Sequence, residues 1–308
     1  MTCPVTSAVT SQSQPAADAS ESGDVVERFN RFAGSVFVAL FAAALYDQAM
    51  LPAVSAALED TGRIRNTPWL RALRTAASDQ IVFSGEEADR RAEAERLVRL
   101  HRDVKGVGSN GVRYSALNPE SWNFILISTF FMHRNAFIAT TGEQLDAAAN
   151  QAAWDHFRQL SADLQLPGRS RLIEDYDQLT AYYDHLVTEK LESTSTLECA
   201  VAYTMRPARP DFLPVLTAPL WAITSPLIGH VLTVLGFGIM HPGVRAQLPT
   251  VWTRRHDVEF QLLTALIRPA YRWLPRRVTD TPLARNRRDY ERLIARYKGI
   301  GLTSFAAD

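Results

Sequence analysis

Cysteine is nearly absent from this chain, which has only Cys3 and Cys199 among its 308 residues. One of the two lies in a polar N-terminal segment, so they make a poor disulfide framework. The sequence also lacks the closely spaced cysteines that ligate structural zinc. Disulfide-stabilised and zinc-stabilised folds are therefore excluded, and a fold of this length must rest on its apolar core.

An excess of charge of either sign is also missing, since Lys+Arg and Asp+Glu both number 33. Proteins that bind nucleic acid along an extended surface usually carry a clear basic excess. The balance therefore predicts that nucleic acid is not a partner of this protein.

The N-terminal segment, residues 1–23, is rich in Ser, Ala, Thr and Gln and poor in large apolar side chains. It has no Lys or Arg before the first apolar stretch, so it does not fit a signal peptide. We expect a disordered tail, because such a segment buries too little apolar surface to offset its ordering entropy. A cytoplasmic location, possibly peripheral to a membrane, is the expectation that follows.

Helical periodicity is what the remaining sequence offers, and strand alternation is almost absent. With 46% hydrophobic residues the chain has ample material for a core. No internal repeat or linker divides it. We therefore predict an all-α fold in which residues 24–308 form a single large multi-helix domain with a buried pocket.

Several helix boundaries can be read from local signals. The apolar run Val36–Tyr46 is too short to cross a bilayer and predicts a buried core helix. Helices are predicted to begin at Pro68 and Pro119, since proline suits the first helical turn. Ser84 and Glu87 have the spacing of a capping box, which predicts a helix over 84–104.

Other segments are assigned more coarsely. Asn110-Gly111 predicts a tight turn across which residues 112–114 pair briefly. Five prolines in 206–226 predict short, broken helices there. Further helices are predicted over 143–165, 171–191, 194–204 and parts of 253–298.

Residues 212–240 form a stretch of 29 residues without a formal charge. That length is enough to cross a bilayer, but three prolines interrupt it. We favour an apolar cavity wall or a surface that rests on a membrane; a transmembrane helix and a subunit contact are the alternatives. A C-terminal set of arginines, from Arg254 to Arg288, either contacts anionic lipid or forms an ordinary solvated surface.

His101 lies on the apolar side of the predicted helix 84–104, at helical steps from Ala94, Leu97 and Val104. Burying an imidazole without a partner costs about 1–3 kcal/mol. His101 is therefore either a core histidine bonded to a backbone carbonyl or a ligand of a metal or haem iron. His133 is its rival, with a core role favoured over a distal one.

A polar stripe follows the helix that begins at Pro68. Arg71, Arg74, Thr75 and Ser78 recur at helical steps. They form either a solvated helix face or the wall of a pocket, where two guanidiniums could pair with haem propionates or polarise dioxygen. The two consecutive helices should pack antiparallel, which would place the stripe near His101.

These residues resemble the catalytic domain of the MpaB and latex-clearing-protein (rubber oxygenase) family over about residues 30–290. The resemblance rests on short motifs whose order and spacing agree with the family, namely Arg71-Ala-Leu-Arg74-Thr75, Leu100-His101-Arg-Asp-Val104-Lys105-Gly106, Gly111-Val-Arg-Tyr114-Ser-Ala116 and Asn118-Pro119.

The resemblance implies roles for particular residues. His101 matches the proximal haem ligand and Lys105 a basic residue four positions later. Arg71 and Thr75 match residues near the haem that matter for activity. Arg74 departs from the family, since latex-clearing proteins carry a lysine there. An arginine stays protonated, so we expect it to donate hydrogen bonds and to leave the sixth iron position open or to water.

The implied function is that of a haem b-dependent oxygenase that cleaves carbon–carbon double bonds of isoprenoid or other apolar substrates with dioxygen. No C-x-x-C-H motif is present, so the haem would be held noncovalently. Phe130, Phe131 and Phe137 suit either tunnel walls or core packing, with packing favoured. A noncatalytic lipid-binding protein and a haem enzyme of diverged chemistry are the alternatives. A di-metal site is disfavoured, because no Glu-x-x-His pair has the required spacing.

Overall fold

The chain folds as a single helical domain. The structure, a computed structural model, describes residues 14–62, 66–166, 168 and 171–301, with side chains from residue 23 onward. Of the segment 1–23 that was predicted to be disordered, residues 1–13 lie outside the described part. Helix α1 begins at Gln14.

The first half of the fold carries the elements that matter for the site. They are α1 (Gln14–Ala33), a 3₁₀ helix (Val36–Met50), α2 (Pro52–Thr61), α3 (Pro68–Ser84), α4 (Glu87–His101), β1 (Lys105–Val107), β2 (Arg113–Ser115) and α5 (Pro119–Thr141). The two strands form an antiparallel hairpin in which Gly106 is paired with Tyr114.

The second half is entirely helical in the described residues. It comprises α6 (Ala147–Leu160), a short 3₁₀ turn (Ala162–Leu164), α7 (Tyr176–Glu189), α8 (Ser195–Met205), a second 3₁₀ turn (Val215–Thr217), α9 (Ala218–Gly238), α10 (Pro242–Ala246), α11 (Arg254–Trp273), α12 (Arg276–Thr279) and α13 (Pro282–Gly299).

The core surrounds α5 and the 3₁₀ helix Val36–Met50. Phe130 and Phe137 of α5 are fully buried, and their neighbour Phe131 is nearly so. The apolar run that begins at Val36 is buried as predicted, although it forms an unusually long 3₁₀ helix. Side chains three apart eclipse in such a helix, and the small residues Ala42–Ala44 reduce that crowding.

Proline and asparagine set helix starts where the sequence indicated them. α3 begins at Pro68 and α5 at Pro119. The side chain of Asn118 caps α5 by accepting a hydrogen bond from the amide of Ser121 at 3.1 Å. The predicted pairing across Asn110-Gly111 is confirmed as the β1–β2 hairpin.

The predicted capping box at Ser84 and Glu87 is wrong by two residues. Ser84 is the last residue of α3, and α4 is capped by Glu86, whose backbone amide bonds the Asp89 side chain. Gly85 explains the shift, because a Cβ at this position would lie 2.5 Å from the carbonyl oxygen of Ile81. The chain can therefore leave α3 directly after Ser84.

The prediction of short, broken helices over 206–226 is wrong for its second half. α9 is continuous from Ala218 to Gly238 and includes Pro226. Pro219 lies in the first turn, where its missing amide proton costs nothing. Close packing also favours the helix, since Gly229 lies against the carbonyl oxygens of Thr204 and Met205 at the end of α8.

Candidate functional site

Helix α3 is fixed to the rest of the protein at both ends. At its start, the Trp69 indole NH donates to the carbonyl of Ala208 at 2.7 Å, and its ring meets that of Trp221 edge-on at 6.1 Å. At its end, Phe83 is buried, and the Gln80 side chain donates to a backbone carbonyl of α1. The helix therefore has a defined position although its middle has little support.

The middle of α3 is exposed around its whole circumference. Residues 72–77 are all exposed, which is more than one full helical turn. Leu70 and Leu73 expose 45% and 50% of their surface. A helix packed on the core would bury one face, so the inner side of this segment borders open space.

α3 and α4 contact each other through a buried carboxylate. The Ser78 hydroxyl donates to Glu93 at 2.5 Å, and the Arg96 guanidinium donates to both carboxylate oxygens, at 2.5 and 2.6 Å. Hydrogen bonds from Arg96 hold the pKa of Glu93 below its ordinary value against the opposing effect of burial. This charged contact fixes the register of the two helices.

The register places the predicted polar stripe and His101 on the same side of this contact. From the Ser78–Glu93 contact, Thr75 and Arg71 lie one and two turns back along α3. Leu97 and His101 lie one and two turns forward along α4. The two helices run antiparallel from this contact, so the stripe and His101 lie beyond it on neighbouring helices. Arg74 is exposed on the same part of α3.

The His101 ring has a defined orientation. Its Nδ1 lies 2.7 Å from the carbonyl oxygen of Leu97, and its ring meets that of Trp122 edge-on at 5.5 Å. Trp122 is itself held by a hydrogen bond from its indole NH to Leu164 at 2.6 Å. His101 is half-buried, whereas Ala94 two turns earlier is buried. The ring therefore lies at the edge of the core.

His133 is a core histidine, the interpretation that the sequence favoured. It is fully buried, with Nδ1 2.9 Å from the Thr129 carbonyl and Nε2 3.2 Å from a carboxylate oxygen of Asp79. Burial lowers the pKa of His133, but the charge and hydrogen bond of Asp79 together with the Thr129 carbonyl raise it overall. Both ring nitrogens are engaged, so His133 does not compete with His101 as a ligand.

Lys105 lies in β1, directly after the end of α4, and its side chain is exposed. The hairpin is held against α2 by a hydrogen bond from the Tyr114 hydroxyl to Asp60. Gly106 is required there, since a Cβ would lie 2.8 Å from the Tyr114 hydroxyl oxygen. The hairpin thus fixes the chain that follows His101.

A buried carboxylate beneath α5 was not singled out from the sequence. Asp47 accepts hydrogen bonds from Ser128 at 2.6 Å and from the Tyr183 hydroxyl at 2.7 Å. Burial raises the pKa of Asp47 to about 6, although these two hydrogen bonds and one from the Gln48 backbone oppose the rise. Burial and the negative charge of Asp47 also raise the pKa of Tyr183, which therefore stays protonated and remains a donor.

Replacing this carboxylate should change how stability depends on pH. The folded-state pKa of about 6 lies above the ordinary 3.8, so the folded protein loses stability as the pH rises from about 4 through 6. Two pKa units correspond to about 3 kcal/mol. We expect Asp47→Asn to unfold at higher urea concentration than the wild type at pH 8 and at a similar concentration at pH 4.

Asp47→Ala is the control for this substitution. It leaves the Ser128 and Tyr183 hydroxyls without their acceptor, so it should be less stable than the wild type at both pH values. A stability difference between Asp47→Asn and wild type that is the same at pH 4 and pH 8 would contradict the raised pKa.

The aromatic residues considered as tunnel walls have separate positions. Phe130, Phe131 and Phe137 are buried in the core, which was the favoured interpretation, whereas Trp122 lies beside His101. Leu70 and Leu73 of α3 and Leu100 of α4, the neighbour of His101, are exposed apolar side chains.

Comparison with known families identifies the domain. The family described as "ER-bound oxygenase mpaB/B'/Rubber oxygenase, catalytic domain" matches residues 30–269, which include α3, α4 and the hairpin. The chain belongs to this mpaB and rubber oxygenase family. The match ends within α11, so most of the helical domain, including the candidate site, is the family's oxygenase catalytic domain.

Similar proteins occur in mycobacteria. Uncharacterized proteins of Mycobacterium bovis and Mycobacterium tuberculosis are each 26% identical to this mpaB-family chain over 221 residues, covering 71% of the chain and 80% of the relative. No solved structure matches the chain significantly.

Proposed function

We propose that this protein is a haem b-dependent oxygenase in which His101 is the proximal iron ligand. One observation carries the proposal: α3 is fixed at both ends and exposed all round in between, opposite a histidine whose Nδ1 is held by a backbone carbonyl. Family membership supports an oxygenase, and the arrangement of these two helices supports the cofactor.

The dimensions of the open segment suit a porphyrin. Residues 70–77 of α3 extend over about 12 Å at 1.5 Å per residue, close to the width of the macrocycle. The exposed side chains of Leu70, Leu73 and Leu100 offer apolar contacts for its faces. Arg71 on the same helix offers a guanidinium for a propionate.

The hydrogen bond to Leu97 determines which nitrogen of His101 would bind iron. A ligating histidine usually donates its second ring NH to a carbonyl or carboxylate, which fixes its tautomer and raises its basicity. In His101 the Nδ1 proton is directed to the Leu97 carbonyl at 2.7 Å. Nε2 is then the ligating atom, and Trp122 limits rotation of the ring.

Arg74 and Thr75 would supply the polar groups for dioxygen if haem is bound here. A bound haem supplies the activation of dioxygen. Arg74 replaces the lysine that the resemblance implies, and as a permanent cation it donates hydrogen bonds without binding iron. The Thr75 hydroxyl can donate or accept a hydrogen bond. Together these residues orient a polar diatomic ligand next to an apolar substrate.

The substrate we propose is an unsaturated apolar molecule of the isoprenoid class. The family is named for a rubber oxygenase, and the open segment of this chain is bordered by leucines on both helices. Such side chains favour a hydrocarbon and exclude water from it. The proposed reaction is oxidative cleavage of a carbon–carbon double bond that yields two carbonyl products.

Oxygen consumption tests this proposal. Haem-loaded protein mixed with a short polyisoprenoid in detergent should consume dioxygen and form aldehyde or ketone ends. Arg71→Ala should lower the rate by about 10- to 100-fold, because loss of a partner that orients a bound cofactor typically has that effect. Arg99→Ala is the matched control, since Arg99 is an exposed arginine of α4 that pairs with Glu95.

Two results would contradict the proposed function. A haem-loaded protein that neither consumes dioxygen nor forms carbonyl products from any unsaturated apolar substrate is not an oxygenase of this class. Equal loss of rate in Arg71→Ala and Arg99→Ala would remove the role proposed for α3.

A further inference from the structure

Helix α11 has two apolar faces, of which only one is covered by the protein. One face packs on the core through Phe260, Leu263 and Ile267. The other exposes Val258, Leu262, Leu266 and Trp273, whose exposed fractions are 54%, 62%, 70% and 77%. At 3.6 residues per turn, these four side chains lie within an arc of about 80° around the helix axis. Isolated exposed leucines are ordinary, but a continuous exposed stripe is not.

The first half of α9 continues this exposed surface. Leu220, Ile223 and Leu227 expose 65%, 78% and 66% of their surface. His230, one turn beyond Leu227, lies 2.9 Å from Glu259, the neighbour of Val258. The exposed sides of the two helices therefore meet at this contact. We call Leu220, Ile223, Leu227, Val258, Leu262, Leu266 and Trp273 the α9/α11 apolar surface.

Only the first part of the helix that carries this surface is exposed. Val215–Gly238 is long and apolar enough to cross a membrane by length and composition. Its second half is embedded in the protein, since Val234, Leu235 and Phe237 are buried. Its exposed apolar side chains begin at Val215 and end at Ile228, a stretch shorter than the roughly 20 residues that a span requires. Its length suits a helix lying in the plane of a membrane interface.

A basic cavity adjoins the end of this surface. It has a volume of about 580 Å³ and is lined by Arg28, Arg31, Thr141, Glu143, Arg268, Pro269, Tyr271, Arg272 and Trp273. Arg28 is paired with Glu143, the one acidic residue of the lining, at 3.1 Å. The other charged residues of the lining are Arg31, Arg268 and Arg272, so the cavity is basic. Trp273, the last residue of the apolar surface, forms part of the cavity wall.

We propose that the α9/α11 apolar surface docks on an anionic phospholipid bilayer and that the arginine cavity binds a lipid phosphate. The apolar stripe would enter the boundary between headgroups and acyl chains, with Trp273 at headgroup depth, where tryptophan is favoured. Arg268 and Arg272 lie on α11 beside the stripe, at the height where phosphates occur. A second protein copy would bury the stripe but would not require the adjoining basic cavity.

Vesicle sedimentation tests this docking, and it does not depend on haem. The full-length protein should bind phosphatidylcholine vesicles containing phosphatidylglycerol and bind pure phosphatidylcholine vesicles far more weakly. Arg272→Gln should weaken binding about fivefold, the effect of one cation at an anionic surface. The double variant Leu262→Ser/Leu266→Ser should weaken it by more than about tenfold.

Matched controls come from α13, whose exposed residues include Leu293 and Arg296. Leu293→Ser and Arg296→Gln should bind vesicles as the wild type does, and unchanged circular dichroism should show that all variants are folded. Equal binding to neutral and anionic vesicles, or binding unaffected by the α11 variants, would overturn the proposal. So would a dimer in solution that the Leu262→Ser/Leu266→Ser variant converts to monomer.

Discussion

His101→Ala is expected to abolish the Soret absorption of the purified protein. The substitution removes the only ring nitrogen that the proposal assigns to the iron, together with the Leu97 hydrogen bond that orients it. Loss of an outer-shell partner alone costs about 10- to 100-fold in metal affinity, so loss of the ligand itself should cost more. Absorption spectra and haem-to-protein ratios of protein from haem-replete cells measure the effect.

His185→Ala is the matched control for the loss of haem. His185 is an exposed histidine of α7, away from α3 and α4, and this variant should keep the wild-type spectrum. A His101→Ala protein that retains a full Soret band would show that haem, if bound, is ligated elsewhere.

Gly229→Ala is expected to destabilise the protein by at least about 3 kcal/mol. The added Cβ would lie 2.3 Å from the Thr204 carbonyl oxygen and 2.6 Å from that of Met205. Backbone atoms cannot move aside as flexible side chains do, so α9 would have to separate from α8. Overpacking in a core typically costs about 1–3 kcal/mol of stability. Because the carbonyls are fixed, we expect the cost of these clashes to lie at the upper end of that range or above it.

Urea unfolding at neutral pH measures this effect, with Gly299→Ala as the control. No atom lies within 4 Å of a Cβ built at Gly299, which is the last residue of α13. Gly299→Ala should therefore leave the unfolding midpoint nearly unchanged. If Gly229→Ala unfolds at the same urea concentration as the wild type, α8 and α9 do not pack as closely as described.

Elements with local signals could be predicted from the sequence. Pro68, Pro119 and the Asn118 cap mark helix starts through the conformations and hydrogen bonds of a few neighbouring residues. The capping box was misplaced because Ser84 is a preferred N-cap residue by type, whereas Glu86, which caps α4, is not. Only the tight approach of Gly85 to Ile81 decides between them.

α9 was misjudged because its helix depends on contacts from distant parts of the chain. Prolines predict a broken segment, but Gly229 and Gly236 allow close packing on α8 and on the 3₁₀ helix. Such tertiary packing overrides local propensity. The length of the 3₁₀ helix Val36–Met50 could not be predicted either, because this helix also packs against distant parts of the chain.

The candidate site residues stay predictions, and the contacts that support their helices could not be predicted. The motifs indicated Arg71, Arg74, Thr75 and His101, and the fold brings the helices that carry them together. Glu93 was missed because its neighbours in sequence give no sign of the Ser78 contact. Asp47 was missed because Tyr183, its partner, lies 136 residues away.

The central claim is that the His101 imidazole is bonded to a haem iron. Resonance Raman spectra of the ferrous protein should contain an iron–imidazole stretching band in the wild type. His101→Gly should purify without haem, and haem added together with free imidazole should restore the band at a shifted frequency. A wild-type protein that binds haem without this band, or an unchanged band in His101→Gly, would contradict the account.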